Sequence, residues 1–446
     1  MMDTPICDFV SGYESGHPVR LHMPGHKGMS VLGVEGRDIT EVEGADVLYS
    51  ASGIIKRSEE NASRLFGTAL TLYSAEGSSL SIRAMLYLIA LYAKASGKRP
   101  LVCAGRNAHK VFVTGAALVD LDVRWLFSKE PGSVVSCALD LDALEDILIR
   151  EQPAAVYVTS PDYLGNLADI PALSRLCHMH GALLAVDNAH GAYTRFLSPS
   201  LHPMDLGADM CADSAHKTLP VLTGGAYLHI AKSAPALLAE HAEAALSLFA
   251  STSPSYLILQ SLDAANRYLA DDYAEALAET ARQLDACRDA LRSHGYDVVS
   301  GEPMKLTLGT KPIGWRGDET AAYLQQRGVV CEFSDADFVV MMFTPSISAE
   351  EIARVQKLLL SIERKAPIGE KPPLLALPVR CMSPREALFS PQEKLPVEKA
   401  AGRVLAAASV TCPPAVPIVV CGERIDETAI ACFQYYGIEA CTVVKE

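Results

Sequence analysis

Ser214-Ala215-His216-Lys217-Thr218, followed by the pair Gly224-Gly225, is the stretch on which the fold turns. It separates two apolar runs, 210–212 and 226–230, so a strand ends there and a loop begins. A single lysine in such a turn reads most simply as a solvated surface residue. The reading changes with Asp187-Asn188-Ala189-His190, about thirty residues upstream, which also closes an apolar run. An amine and a carboxylate at neighbouring strand ends suit pyridoxal phosphate. The lysine forms a Schiff base with its aldehyde, and the acid keeps its pyridine nitrogen protonated.

Outward from this stretch, short apolar runs alternate with helical ones. Strands are expected at 70–73, 101–104, 123–126, 155–159, 183–186, 210–212 and 226–230. Helices are expected at 58–66 (closing at Gly67), 80–95, 111–119, 141–150 and 171–180. This rhythm is that of an α/β fold with a mostly parallel sheet covered on both faces. Ligands of such sheets bind at the carboxyl ends of the strands. Five polar clusters fall there, at 77–79, 107–109, 160–163, 187–190 and 214–217. Glu76-Gly77-Ser78-Ser79 joins a strand to a long helix. Free N–H groups, the helix dipole and two hydroxyls make that junction an anion site. Plain N-capping by Ser78 or Ser79 is the alternative.

The chain has 446 residues, 49% hydrophobic and 21% charged, which implies a globular protein of two or three domains. A net charge of -14 excludes a basic nucleic-acid-binding face and is compatible with a cationic substrate. MMDTPICDFV lacks the basic start and apolar core of a signal peptide. The most apolar helix, 80–95, is interrupted by Arg83 and Lys94, so no membrane span is expected. Twelve cysteines without a CxxC pair suggest reduced thiols and a cytoplasmic location. Cys177-His178-Met179-His180 is read as a helix end before Gly181, and no metal is expected.

Residues 21–28 hold two histidines, a lysine, a proline and two glycines, and are read as part of an arm that completes a site. Residues 233–294 are helical apart from 251–256, with Ser233 as cap and Pro235 just inside. The pattern then changes, with strands expected at 297–299, 304–308, 329–333 and 338–343, and helices at 319–327 and 349–364. The expected domains are 1–295 (arm and major domain) and 296–446 (a smaller α+β domain, proline-rich from about 366). Within the proline tract, 397–409 is the stretch where a further helix fits.

Read together, LHMPGHKG (21–28), DITEVEGADVL (38–48), GIIKRSEENASRLFG (53–67), EGSS (76–79), RNAHK (106–110), TSPDYLGNLADI (159–170), VDNAHGAYTRF (186–196), SAHKTLPVLTGG (214–225), STSPSY (251–256) and CPPAVPIVVCGE (412–423) carry a resemblance. The chain resembles the fold-type I ornithine/lysine/arginine decarboxylases, in the short bacterial form without an N-terminal wing domain. The resemblance implies an aspartate-aminotransferase-like major domain that binds pyridoxal 5'-phosphate. It implies decarboxylation of a basic amino acid, arginine first, then lysine or ornithine, toward polyamines. Lys217 would form the Schiff base, and His216 or Lys217 would donate a proton. Asp187 would pair with the pyridine nitrogen, Ala189 and His190 would hold the ring, and His109 would stack on it. Gly77, Ser78, Ser79 and Ser214 would bind the phosphate. Thr252 and Ser253 would reach the phosphate of a neighbouring subunit, which makes the site a property of a homodimer or higher homo-oligomer with shared active sites. An aminotransferase or lyase on the same fold, or a non-catalytic regulator, are the alternatives.

The chain departs from the family pattern at Glu76 (usually asparagine), Val111 (serine) and Asp162 (threonine). It also departs at Cys412, Ala415 and Cys421, while Pro413, Pro414 and Glu423 are kept. These changes leave the cofactor residues intact and bear on the substrate.

Overall fold

The computed structural model describes residues 2–129, 137–299, 301–411 and 416–446; Cys412, Pro413, Pro414 and Ala415 of the 412–423 motif lie outside the described residues. The chain opens with a helix that local sequence does not announce, α1 (Pro5–Ser15). Proline suits the first turn, whose N–H groups need outside acceptors. Asp263, over 250 residues away in sequence, provides one: its Oδ2 accepts from the N–H of Ile6 and of Cys7, each at 2.9 Å. The arm then runs without regular structure to α2 (Ile54–Phe66), which starts four residues before the expected 58. Asp46 is the reason. Its carboxylate accepts from the N–H groups of Ser52, Gly53 and Ile55 at 2.8–3.0 Å and so caps the helix from a distance. Gly67 closes α2 in the left-handed region (φ 69°) as expected.

Alternating elements follow: β1 (Leu70–Ser74), α3 (Ser78–Ser96), β2 (Leu101–Gly105), α4 (Lys110–Leu118), β3 (Asp122–Leu126), α5 (Leu141–Glu151), β4 (Ala155–Thr159), α6 (Ile170–Met179), β5 (Leu183–Asp187), β6 (Met210–Asp213), α7 (Ala215–Thr218) and β7 (Ala226–Ile230). The strands form one sheet in the order β1-β7-β6-β5-β4-β2-β3. β2 is parallel to β3 and β4, and β5 to β6, whereas β7 is antiparallel to both β1 and β6. Strands β2, β5, β6 and β7 are buried along their whole length, as a sheet covered on both faces requires. β1 is an edge strand, and α2 occupies its outward N–H groups. Thr71 donates to Ser63 Oγ (2.8 Å) and Tyr73 to Glu59 Oε1 (2.9 Å).

Three helices come next: α8 (Ala236–Ser247), α9 (Tyr256–Ala270) and α10 (Tyr273–His294). Pro235 is itself the N-cap of α8, so the expected cap at Ser233 is displaced by two residues. Then come β8 (Asp297–Val298), β9 (Lys305–Gly309), α11 (Gly317–Gln325), β10 (Phe333–Ser334), β11 (Phe338–Met342), α12 (Ala349–Leu360), α13 (Pro384–Phe389), β12 (Gln392–Pro396), β13 (Ser409–Thr411), β14 (Pro417–Val420), α14 (Glu427–Tyr435) and β15 (Ala440–Val444). Their sheets are β10-β11-β9-β8, β12-β15 and β13-β14. The expected strand 329–333 is strand only at Phe333, and the expected helix 349–364 stops at Leu360. The possible helix 397–409 is a single 3₁₀ turn, Val397–Lys399. Gly402 takes φ 80°, and the N–H of Leu405 and of Ala406 pair with the carbonyls of Glu423 and Thr442, which draws the segment out.

Packing groups the chain into two compact units. One comprises Met1–Ser96, Ile170–Arg175 and Leu183–Ala276, and the other Gly97–Asp169, Leu176–Ala182 and Leu277–Glu446.

Candidate active site

The first unit brings together most of the residues singled out by the sequence. Because β7 is antiparallel to β1 and β6, and β5 is parallel to β6, the strands β1, β5 and β6 share one direction. The segments 75–79, 187–190 and 214–217 therefore leave the sheet at the same edge, and Gly224-Gly225 enters β7 there. The N–H of Gly77 donates to the Gly224 carbonyl at 2.7 Å. Gly224 has φ +103°, and a Cβ on it would lie 3.0 Å from the Ala75 carbonyl oxygen, so this close approach of two loops needs glycine. Ser78 begins the 19-residue α3, whose first-turn N–H groups have no acceptor inside the helix. Ser214 Oγ donates to Ser78 Oγ at 2.7 Å, so two of the three expected phosphate serines already touch.

Lys217 lies in the one-turn α7, with Nζ 3.2 Å from His190 Nε2. Asp187, at the end of β5, is buried, and its Oδ1 accepts from the Ala189 N–H at 3.2 Å. The main-chain N–H and Nδ1 of His216 both meet the Gly225 carbonyl at 3.0 Å. A carbonyl only accepts, so Nδ1 carries a hydrogen and Nε2 is the edge left for chemistry. The His216 ring lies by the 76–79 turn: a Cβ placed on Gly77 would be 4.0 Å from its Cε1.

Directly behind Ser214 is a group that the sequence reading missed. Asp213 is fully buried, and its Oδ2 lies 2.9 Å from His202 Nε2 and 3.2 Å from His229 Nε2. Its Oδ1 accepts from Asn188 Nδ2 (2.8 Å) and Cys211 Sγ (3.2 Å). Burial pushes the Asp213 pKa up, but the two imidazoles outweigh it and hold the carboxyl below its usual range. Burial holds His229 below its usual value, so that ring is neutral. His202, Cys211 and Asp213 place ligand atoms within 4.8 Å of one another, a spacing a metal could use. The protons argue otherwise. The Met204 N–H donates to His202 Nδ1 (3.3 Å), so the hydrogen of a neutral His202 sits on Nε2 and faces Asp213. The cluster is a hydrogen-bonded clamp that joins Asn188, beside Asp187, to the residue before Ser214.

The remaining candidates divide. His109 belongs to the second unit, where it caps α4 by accepting the Val111 N–H on Nδ1 at 3.3 Å. A serine hydroxyl at 111 is not needed for that cap, because the backbone supplies the donor. Thr252 and Ser253 are exposed, on a segment tied down by Glu76, whose Oε1 accepts the Ser251 N–H at 2.6 Å. That contact gives Glu76 a partner in the 251–253 segment. Asp162 is buried and spends both oxygens on Asn166, through its N–H (2.9 Å) and Nδ2 (2.8 Å). Burial raises its pKa. It closes the 162–166 turn. Cys421 is buried against the carbonyls of Ala406 and Pro384. In the stretch Cys177-His178-Met179-His180, Cys177 is buried on α6 and His178 is exposed.

Comparison with known proteins places this geometry. The family model described as "Orn/Lys/Arg decarboxylase, major domain" matches residues 4–296, and "Orn/Lys/Arg decarboxylase, C-terminal domain" matches 374–441. An arginine decarboxylase of Bacillus subtilis is 28% identical over 96% of this chain and 92% of its own length. One from Bacillus anthracis is 26% identical over 95% and 91%. Among solved structures, the lysine decarboxylase LdcF of Francisella novicida superposes with a TM-score of 0.79 at 16% identity, over 99% of this chain and 81% of that one. Lysine decarboxylase A from Pseudomonas aeruginosa gives 0.81 at 17%, over 99% and 80%, which shows a shared fold.

Proposed function

The chain belongs to the Orn/Lys/Arg decarboxylase family, and from that premise we propose that it removes the α-carboxylate of a basic amino acid, arginine before lysine or ornithine, with pyridoxal 5'-phosphate held on Lys217. One observation carries the reading. Within a single compact unit, three segments leave same-direction strands at one edge and carry an amine, a buried carboxylate and a helix N-terminus. The arginine decarboxylases matched over nearly the full chain favour arginine as substrate.

The residues fit the cofactor. The first N–H groups of α3 and the hydroxyls of Ser78, Ser79 and Ser214 form a donor set for a phosphate, with Gly77 leaving room at the turn. Thr218 Oγ1, on the residue after Lys217, is buried without a partner among the described residues. A buried carboxylate such as Asp187 keeps its charge beside a cation, which a protonated ring nitrogen supplies. Ala189 and His190 would line the ring, and His109 would stack on it.

When bound, the cofactor supplies an aldehyde that captures the substrate amine and a cationic ring that accepts the electron pair freed when the Cα–carboxylate bond breaks. Lys217 Nζ, 3.2 Å from His190 Nε2, would hold the cofactor through its aldehyde, and Asp187 would pair with its ring nitrogen. With Nδ1 committed to the Gly225 carbonyl, His216 Nε2 is the atom that delivers a proton to Cα. The balance is one amino acid and one proton in, one amine and one CO2 out.

Support for a homodimer or higher homo-oligomer with shared sites comes from Thr252 and Ser253, which are exposed on a segment held by Glu76. Sedimentation should give at least twice the 47.8 kDa chain mass. A cytoplasmic location rests on scattered free cysteines, and a domain boundary near 295 on the change of element pattern there. The decisive test incubates the protein with pyridoxal phosphate and each of arginine, lysine and ornithine, and measures CO2 and amine. Arginine should give the fastest release, and Lys217→Ala should lower it by roughly a thousandfold or more. Keto acid without CO2 would mean an aminotransferase; no product and no cofactor absorption band would mean a regulator.

A further inference from the structure

The second unit holds a charged pair that the proposed chemistry does not use. Arg106 and Glu423 are each 2% exposed, and their guanidinium and carboxylate meet through two parallel hydrogen bonds of 2.6 and 2.7 Å. The Arg106 guanidinium also lies over the rings of Trp125 (5.4 Å) and Phe127 (5.7 Å). Glu423 is itself rigidly set. Its Oε2 accepts the Val420 N–H at 2.8 Å, and its carbonyl accepts the Leu405 N–H at 2.9 Å. Gly422 before it has φ +87°, and a Cβ there would lie 2.4 Å from the Met382 carbonyl oxygen.

Arg106 starts the turn Arg106-Asn107-Ala108-His109 that leaves β2 and ends in the His109 cap of α4. The C-terminal segment grips the same element elsewhere. Arg385 Nη1 donates to the Ala117 carbonyl near the end of α4 (2.7 Å). Arg380 donates to the Val123 carbonyl (3.1 Å) and to Asp122 Oδ1 (2.7 Å) on β3. The segment carrying His109 is therefore held at its start, its end and its return strand. The grip at the start is the one shut away from water, and a bidentate pair there fixes direction as well as distance.

We infer that Glu423 is a positioning residue for His109, acting through Arg106, so that the C-terminal segment sets the course of the turn that carries His109. This rests on the reading of His109 as a cofactor-stacking residue. The pair is bidentate, so a neutral or differently shaped partner changes the turn and not only its stability.

The test titrates pyridoxal phosphate into the full-length apoprotein and reads its dissociation constant from the absorption of the bound form, with thermal unfolding of the apoprotein alongside. Glu423→Gln keeps the shape and removes the charge. It should weaken cofactor binding roughly tenfold, His109→Ala by at least as much, and the double variant no more than His109→Ala alone. Independent, multiplying effects of the two changes would overturn the inference, as would a Glu423→Gln protein that melts earlier yet binds cofactor within about twofold of the parent. Should Glu423→Gln not fold, Arg106→Lys decides, since it keeps the charge and loses the fork. Weaker binding at an apoprotein melting point within about 3 °C supports the inference, and unchanged binding overturns it. If His109→Ala alone leaves binding unchanged, the stacking assignment and this inference both fail. CO2 release then still reports separately on the decarboxylase reading.

Discussion

Asp213 and Glu59 are carboxyl groups of the same unit, both shut off from water at 0% and 3% exposure, and they carry opposite charge states. Burial pushes each pKa up. At Asp213 the imidazoles of His202 and His229 more than compensate, and the group stays ionised. At Glu59 the Tyr73 N–H does not suffice, and the pKa is pushed up to about 8, so the group is neutral at pH 7. The supply of donors, and not depth, decides the charge. The positions match the outcome. Asp213 ends β6 directly before Ser214, where a charge locks two strand ends together. Glu59 lies on α2 and closes the sheet's outer edge, where a neutral acid serves as well.

The strongest way to break this contrast is to remove Asp213. Asp213→Ala strips His202, His229 and Asn188 of their shared acceptor, and should lower the unfolding free energy in urea by about 4 kcal/mol at pH 7. Asp213→Asn, which keeps the shape, should cost about half of that. An unchanged midpoint would show that the charge holds nothing.

Glu59 should respond in the opposite sense. Its folded pKa, about 8, lies above the ordinary 4.5. Its stabilising effect is fully present below the ordinary value and is lost as pH rises through the folded one, on the order of 3 kcal/mol between pH 5 and 8. Glu59→Gln should match the parent at pH 5, exceed it at pH 8 and flatten the slope between. Parallel stability curves for the two proteins would contradict a neutral Glu59.

His229 sharpens the picture from the acid side. Burial holds its pKa below the usual 6.5, so the unfolded chain binds the proton first as pH falls. Stability from this residue is present above that value and is lost below it. His229→Gln should lose stability less steeply than the parent from pH 7 downward. The smallest effect is expected at the edge strand, where Ser63→Ala removes the acceptor of the Thr71 N–H and should cost about 1 kcal/mol by thermal unfolding.

Much of the site edge was legible because it is written in short apolar runs ending in small polar clusters. The strands at 155–159 and 226–230 stand where the alternation put them, Ser214 meets Ser78, and Lys217 meets His190. The misses share one cause. α1 is capped by Asp263, α2 begins early because of Asp46, and 397–409 unwinds onto Glu423 and Thr442, each through partners distant in sequence. The antiparallel course of β7 left no mark either, since a buried strand is apolar in both directions.

By itself, then, the sequence determined the rhythm of strands and helices, the family, and which residue types stand at the strand ends, because period and local turn chemistry act over a few residues. Only the tertiary structure decided which buried acids keep their charge, that Glu76 and Asp162 serve the backbone, and that Glu423 reaches Arg106. A carboxylate's charge and partner depend on donors brought close by the fold, and sequence distance carries no record of them.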